Sequence, residues 1–272
     1  MFARENHSAT PPPAGHVVQF YDADEPLLTR NVTDYLLEGM HQGDALLVIA
    51  TAERNEALAR ELRESGAEPD VAIRERLLFA DAEQTLTRFM VNGQPDWQRF
   101  ERTLGALIQQ VRPHPDHTGL RAYGEMVGVL WEAGQFSAAV RLEQFWNRRL
   151  SADSFHLFCA YPIDLFGKDF HSAALDPLLC AHTHLLPAAR NRDLVSAIDR
   201  AMDEVLGGNA QGLRALIKAN YRPSWAAIPE AEAAILWLRQ NLPSCAEEII
   251  ARAHQYFQAA PRTPTSNLRN LQ

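Results

Sequence analysis

A chain of 272 residues, 46% of them hydrophobic, exceeds the usual single-domain size and can bury a large core, so an α/β domain with an appendage is the expected build. A net charge of −8 argues against a polyanion binder, which needs clustered Lys and Arg, and makes nucleic acid a poor partner. No run of about eighteen apolar residues is present and the amino-terminal stretch lacks the apolar core of a signal peptide, so no membrane span and a cytoplasmic location are expected.

Residues 1–15 hold three consecutive prolines and little that can pack, and read as a flexible leader. His16–Tyr21 is a β-rich run, followed by the polar turn Asp22-Ala23-Asp24-Glu25 and a helix with Pro26 in its first turn, ending before Gly43. Ala45–Ala50 is a second strand, and Thr51 is placed to cap a helix with Glu53 in its first turn. Leu77–Ala80 is a third strand, with Asp81 as the next helix cap. Asp96 caps a longer helix to about Val111. A proline and histidine loop, residues 113–117, leads into the most specific stretch of the chain.

That stretch, residues 118–162, reads as strand, helix, strand. Gly119–Tyr123 ends at Gly124-Glu125. Residues 154–161 have two largely apolar alternate sets, Phe155/Leu157/Cys159/Tyr161 and His156/Phe158/Ala160, as expected of a strand covered on both faces of a parallel sheet. Between them Ala139, Leu142, Trp146 and Leu150 form the stripe of a packed helix. Strands alternating with helices predict a parallel-sheet α/β domain over residues 16–186.

In such sheets ligands bind beyond the carboxyl ends of the strands. Those ends carry Tyr21, Asp22, Glu53, Asp81, Tyr123, Glu125 and Tyr161, with Trp131 close by. The rim reads as acidic and aromatic, without lysine or arginine. A phosphate loop needs glycines, a Lys and a hydroxyl. The turn at residues 22–26 offers none, and no GxGxxG follows any strand. Glu125 reads as a rim residue whose removal should silence a response and spare the fold.

Several motifs in order carry a resemblance: His16-x-x-Gln19-Phe20-Tyr21, Gly39-x-x-x-Gly43-Asp44, Arg121-Ala122-Tyr123-Gly124-Glu125-Met126, Leu130-Trp131-x-x-Gly134, Leu142-Glu143-x-x-Trp146-Asn147 and Cys159-Ala160-Tyr161-Pro162. Over roughly residues 16–185 the chain resembles the MEDS sensory domain of dichloromethane-responsive regulators and bacterial sensor kinases. The resemblance implies a three-layer fold similar to the RecA and KaiC ATPases with the phosphate loop lost, used to sense a small molecule or relay a signal. It leaves the ligand unidentified.

Three cysteines, Cys159, Cys180 and Cys245, sit outside any CxxC pair and read as reduced thiols, Cys159 as inert packing. His16, at the amino end of its strand, reads as a structural hydrogen-bonding residue. Cys180-Ala181-His182-Thr183-His184 invites a zinc site with His171 or His156. As the end of a helix, however, it would put Cys180 and His184 on one face and His182 elsewhere, so no metal is assigned.

After Pro187 strands disappear. Residues 187–260 read as a four-helix appendage, with eight Lys/Arg and eight Asp/Glu from Arg190 to Ala260 and a core around Trp225, Ile228, Ile235, Leu236, Trp237 and Leu238. Residues 261–272 read as a disordered tail. The leading expectation is a non-enzymatic sensory module that binds a small molecule at the rim and signals to a regulatory partner, a kinase or transcription regulator, with a homodimer left open. The alternatives are a hydrolase or transferase using Glu125 with a metal held by Asp22, Asp24 or Asp81, and a scaffold without ligand.

Overall fold

The computed structural model describes residues 15–22, 25–65, 76–112, 119–153, 155–187, 190–220 and 227–260. The expected leader and tail, Asp24, the loop at 113–117 and Trp225 lie outside them. The described residues up to 187, with 227–229, form one compact unit, and 190–220 with 230–260 form another.

In the first unit the elements run β1 (His16–Tyr21), α1 (Glu25–Gln42), β2 (Ala45–Ala50), α2 (Ala52–Glu64), β3 (Leu77–Asp81), α3 (Ala82–Phe89), a small hairpin β4 (Met90–Val91) and β5 (Gln94–Pro95), α4 (Trp97–Val111), β6 (Leu120–Gly124), α5 (Met126–Glu132), α6 (Phe136–Ala152), β7 (His156–Pro162), α7 (Ser172–Leu179) and β8 (His184–Leu186). Six strands form one sheet in the order β3-β2-β6-β7-β1-β8, and every pair is parallel. The α/β expectation holds. The three caps do as well: Thr51 Oγ1 accepts from Arg54 N, Asp81 Oδ1 from Gln84 N and Asp96 Oδ1 from Arg99 N. Each satisfies a first-turn N–H that has no partner within its helix.

Because side chains alternate along a strand, the sheet has two distinct faces. On one, Val17, Leu46, Val48, Ala50, Tyr123, Phe158 and Ala160 pack with Leu28, Val32, Tyr35 and Leu36 of α1 and Leu58 and Leu62 of α2. On the other, Tyr161 meets Trp131 of α5 at 5.5 Å and Phe20 at 6.4 Å between ring centroids. Trp146 of α6 there meets Phe100 of α4 at 5.3 Å. These are the three layers.

Two glycines set how closely the layers approach. A methyl group on Gly39 would stand 2.7 Å from Arg121 Cδ and Leu46 Cδ2. Its absence makes room for Arg121, which is buried in β6, donates from Nε to Asp44 Oδ2 at 2.8 Å and lies over the Tyr35 ring. A methyl on Gly128 would stand 2.7 Å from the Ala160 carbonyl oxygen, so α5 sits directly on β7.

The expected single helix between β6 and β7 is two, α5 and α6. Residues 180–184 follow the end of α7 rather than continuing it, so Cys180 and His184 do not share a helical face. Cys180 is the exposed C-cap of α7, His182 lies in the turn, and His184 opens an edge strand. The peptide at Ala227 closes that edge, donating to Thr183 O and accepting from Leu185 N.

The second unit contains α8 (Asn191–Leu206), a short 3₁₀ turn at Gly207–Asn209, α9 (Ala210–Asn220), α10 (Glu230–Asn241) and α11 (Ala246–Ala259). Ile235, Leu236, Trp237 and Leu238 are buried as expected, and Ile228 is half-buried.

Candidate functional site

At the carboxyl edge, on the α1/α2 face, one carboxylate gathers four elements. Glu125, just past β6, accepts from the Tyr123 hydroxyl at 2.7 Å and Arg54 Nε at 2.8 Å on one oxygen. Its other oxygen accepts from Thr51 N at 3.1 Å and Thr51 Oγ1 at 3.3 Å. Arg54 donates onward to Thr29 Oγ1 of α1 at 2.9 Å, and its guanidinium lies 5.5 Å from the Tyr21 ring centroid. The rim therefore does contain an arginine. In the sequence Arg54 is a helix residue three positions beyond the cap, and only folding turns it inward.

Glu125 and Arg54 are 3% and 6% exposed. A pair so desolvated persists because its remaining donors and acceptors are filled. Burial, with the charge of Glu125 second, pushes the Tyr21 phenol up to about 12. The Tyr123 phenol is raised well above its ordinary value for the same two reasons.

The other sequence-selected residues stand apart from this group. Asp22 and Glu53 are exposed, and Asp81 accepts from the first turn of α3. Tyr161 and Trp131 are together but on the opposite face: Tyr123 pairs in register with Phe158, and Tyr161, three residues on, points the other way. No single cavity gathers all eight.

On that opposite face lies a second group. Glu143 of α6 is wholly buried and accepts from the Tyr161 hydroxyl at 2.6 Å. His16 Nε2 is 3.3 Å from Glu143 Oε2 and 3.2 Å from Cys159 Sγ. His182 Nε2 is 3.3 Å from Glu143 Oε1, and the two imidazole centroids are 4.1 Å apart.

The tautomers follow from the outer partners. Asn147 donates its amide to Ala181 O, so its Oδ1, 3.0 Å from His16 Nδ1, must accept a proton from that ring. His182 Nδ1 donates to Leu178 O at 2.8 Å. Both rings thus turn Nε2 inward, and burial, with His182 next, lowers His16 to about 4. Burial opposes the charge on Glu143, yet His182 and His16 bring its pKa below the ordinary value. Burial and Glu143 raise the Cys159 thiol well above its own.

The sequence reading gives His16, Cys159 and His182 no ligand role and names Glu143 only within a family motif. A signal was present: Ala139, Leu142, Glu143 and Trp146 share the inward face of α6, and a carboxylate on an apolar stripe calls for buried partners.

In the helical unit, an open cavity of about 260 Å³ is lined by Val195, Ile198, Met202 and Ile217, with Arg214 and Lys218 at its margin. Those cations lie 3.8 Å from Asp199 and Glu230 respectively. Among the described residues no helix is long and apolar enough to cross a membrane.

No curated protein and no solved structure matches the chain. A family model, described as MEthanogen/methylotroph, DcmR Sensory domain, matches residues 15–183, which span the parallel sheet except for its edge strand β8. The chain belongs to the MEDS family of sensory domains.

Proposed function

We propose that the chain is a non-enzymatic sensory module whose signal enters at the carboxyl edge through the Glu125–Arg54 pair and passes to a regulatory partner, a kinase or transcription regulator. The observation supporting this is the connectivity of one carboxylate. Glu125 holds the end of β6, the β2–α2 junction through Thr51, and, through Arg54, both α1 at Thr29 and the Tyr21 ring. A small molecule that competes for Glu125 or wedges beside the half-buried Tyr21 shifts α1 and α2 together, a local contact change with a displaced element as its readout. Aromatic walls with few polar groups suit a small, weakly polar ligand.

The membership of the family directs the choice of compounds. Thermal melting of the full chain with small one-carbon compounds, dichloromethane and methanol among them, is expected to show stabilisation. That shift should be lost in Arg54→Met/Glu125→Met, which replaces the ion pair by apolar groups. A shift of equal size in that variant would place the ligand elsewhere, and a flat response to every compound would favour a scaffold.

A further inference from the structure

We infer that His16, Glu143, Cys159 and His182 form a buried site for one divalent transition-metal ion of the zinc class. The four residues are buried, and one ligand atom from each lies within 4.8 Å of the others. In a tetrahedral site with ordinary zinc–nitrogen and zinc–sulfur bonds, ligand atoms stand about 3.3–3.6 Å apart. The separations here are 3.2 Å from His16 Nε2 to Cys159 Sγ, 3.3 Å from each Nε2 to a Glu143 oxygen, and 3.9 Å from Cys159 Sγ to Glu143 Oε2. His16 Nε2, Cys159 Sγ and Glu143 Oε2 thus stand close to the spacing of one tetrahedral face, and His182 Nε2 faces the other oxygen, Oε1, of the same carboxylate.

The surroundings are those a metal site needs. Each histidine gives its Nδ1 proton to an outer carbonyl, Asn147 Oδ1 for His16 and Leu178 O for His182, which fixes Nε2 as the inward ligand atom. His182 Nε2 is buried and, apart from its 3.3 Å approach to Glu143 Oε1, makes no hydrogen bond, a state protein interiors avoid. Tyr161 holds the Glu143 carboxylate in place. Two nitrogens, one oxygen and one sulfur suit zinc, cobalt(II) or iron(II) rather than magnesium or calcium.

On binding, a metal–sulfur bond forms and the Cys159 thiol proton leaves to solvent. The double positive charge is then balanced by one thiolate and one carboxylate, leaving no net buried charge. Four protein ligands leave no open position, so the site is a closed, structural one. It fastens the His182 turn, just ahead of β8, to β1, β7 and α6. Lying on the sheet face opposite Glu125, it stands or falls independently of the sensory reading.

The test uses the full chain, stripped of metal by a chelator and titrated with Co²⁺. One equivalent is expected to bind with the intense visible spectrum of tetrahedral cobalt and a near-ultraviolet sulfur-to-cobalt band, both abolished by Zn²⁺. Cys159→Ala should remove the sulfur band, and Cys180→Ala, at the exposed cysteine, should leave it unchanged. Because replacing a buried ligand can unfold the domain, zinc-edge X-ray absorption on the zinc-loaded wild-type chain provides a second reading, expected to show one sulfur among nitrogen and oxygen neighbours. Failure of the folded wild-type chain to take up one equivalent overturns the inference. So does a sulfur band that survives Cys159→Ala, or a zinc shell without sulfur.

Discussion

Glu125 illustrates how a residue changes meaning once its neighbours are known. From the sequence it is a carboxylate at a strand end, replaceable without harm to the fold. In the structure it neutralises Arg54, so Glu125→Ala leaves a guanidinium buried without its partner, a defect that costs about 3–5 kcal/mol. Denaturant unfolding should show a loss of that order, and the Arg54→Met/Glu125→Met double substitution should recover most of it. Tyr21 adds a pH signature. Its folded pKa, pushed up to about 12, exceeds the ordinary value near 10. Below pH 10 both folded and unfolded chains keep the proton and the contribution is whole. As pH rises from about 10 through 12 the unfolded chain ionises first and stability falls. Tyr21→Phe should flatten that alkaline decline in a series of melting temperatures.

Elements were legible where they were long and periodic. The strands β2 and β7, the helices α2, α4 and α6, and the caps Thr51, Asp81 and Asp96 follow from short continuous apolar runs, a 3.6-residue stripe and a hydroxyl or carboxylate before it. The seven-residue α5 and three-residue β8 were not, since so few residues carry no period. Nor does periodicity connect Gly39 and Asp44 with Arg121; the structure does, since Gly39 leaves room for the buried arginine and Asp44 supplies its counter-ion. Gly39→Ala should therefore cost about 1–3 kcal/mol by overpacking against Arg121 and Leu46, read as a lowered unfolding midpoint. Gly128→Ala meets a backbone carbonyl that cannot swing aside. It should lift α5 from β7 and change the fluorescence of Trp131, now packed on Tyr161 and Phe136.

At the scale of the molecule, the sheet order β3-β2-β6-β7-β1-β8 was hidden because it depends on pairings between distant segments, not on local pattern. The same blindness merged two groups into one rim: strand ends are adjacent in a list of residues, while alternation sends Tyr123 and Tyr161 to opposite faces. The order sets a gradient of local stability. Residues Leu157–Cys159 of β7 are paired on both sides, whereas β8 joins the sheet through three residues of β1. Amide hydrogen exchange should accordingly be slowest in β7 and faster in β8.

Strand β1 begins at His16 and ends at Tyr21, about 17 Å away at the usual rise per residue, and these two side chains belong to groups on opposite faces. It lies between β7 and β8, and a slip of one position would turn the imidazole in among the aliphatic side chains of α1 and α2 and carry Val17 into its place. Such a slip is barred by both ladders at once. A displacement passed from one end of β1 to the other would carry the whole strand with it, as a rod tilts or advances between its guides.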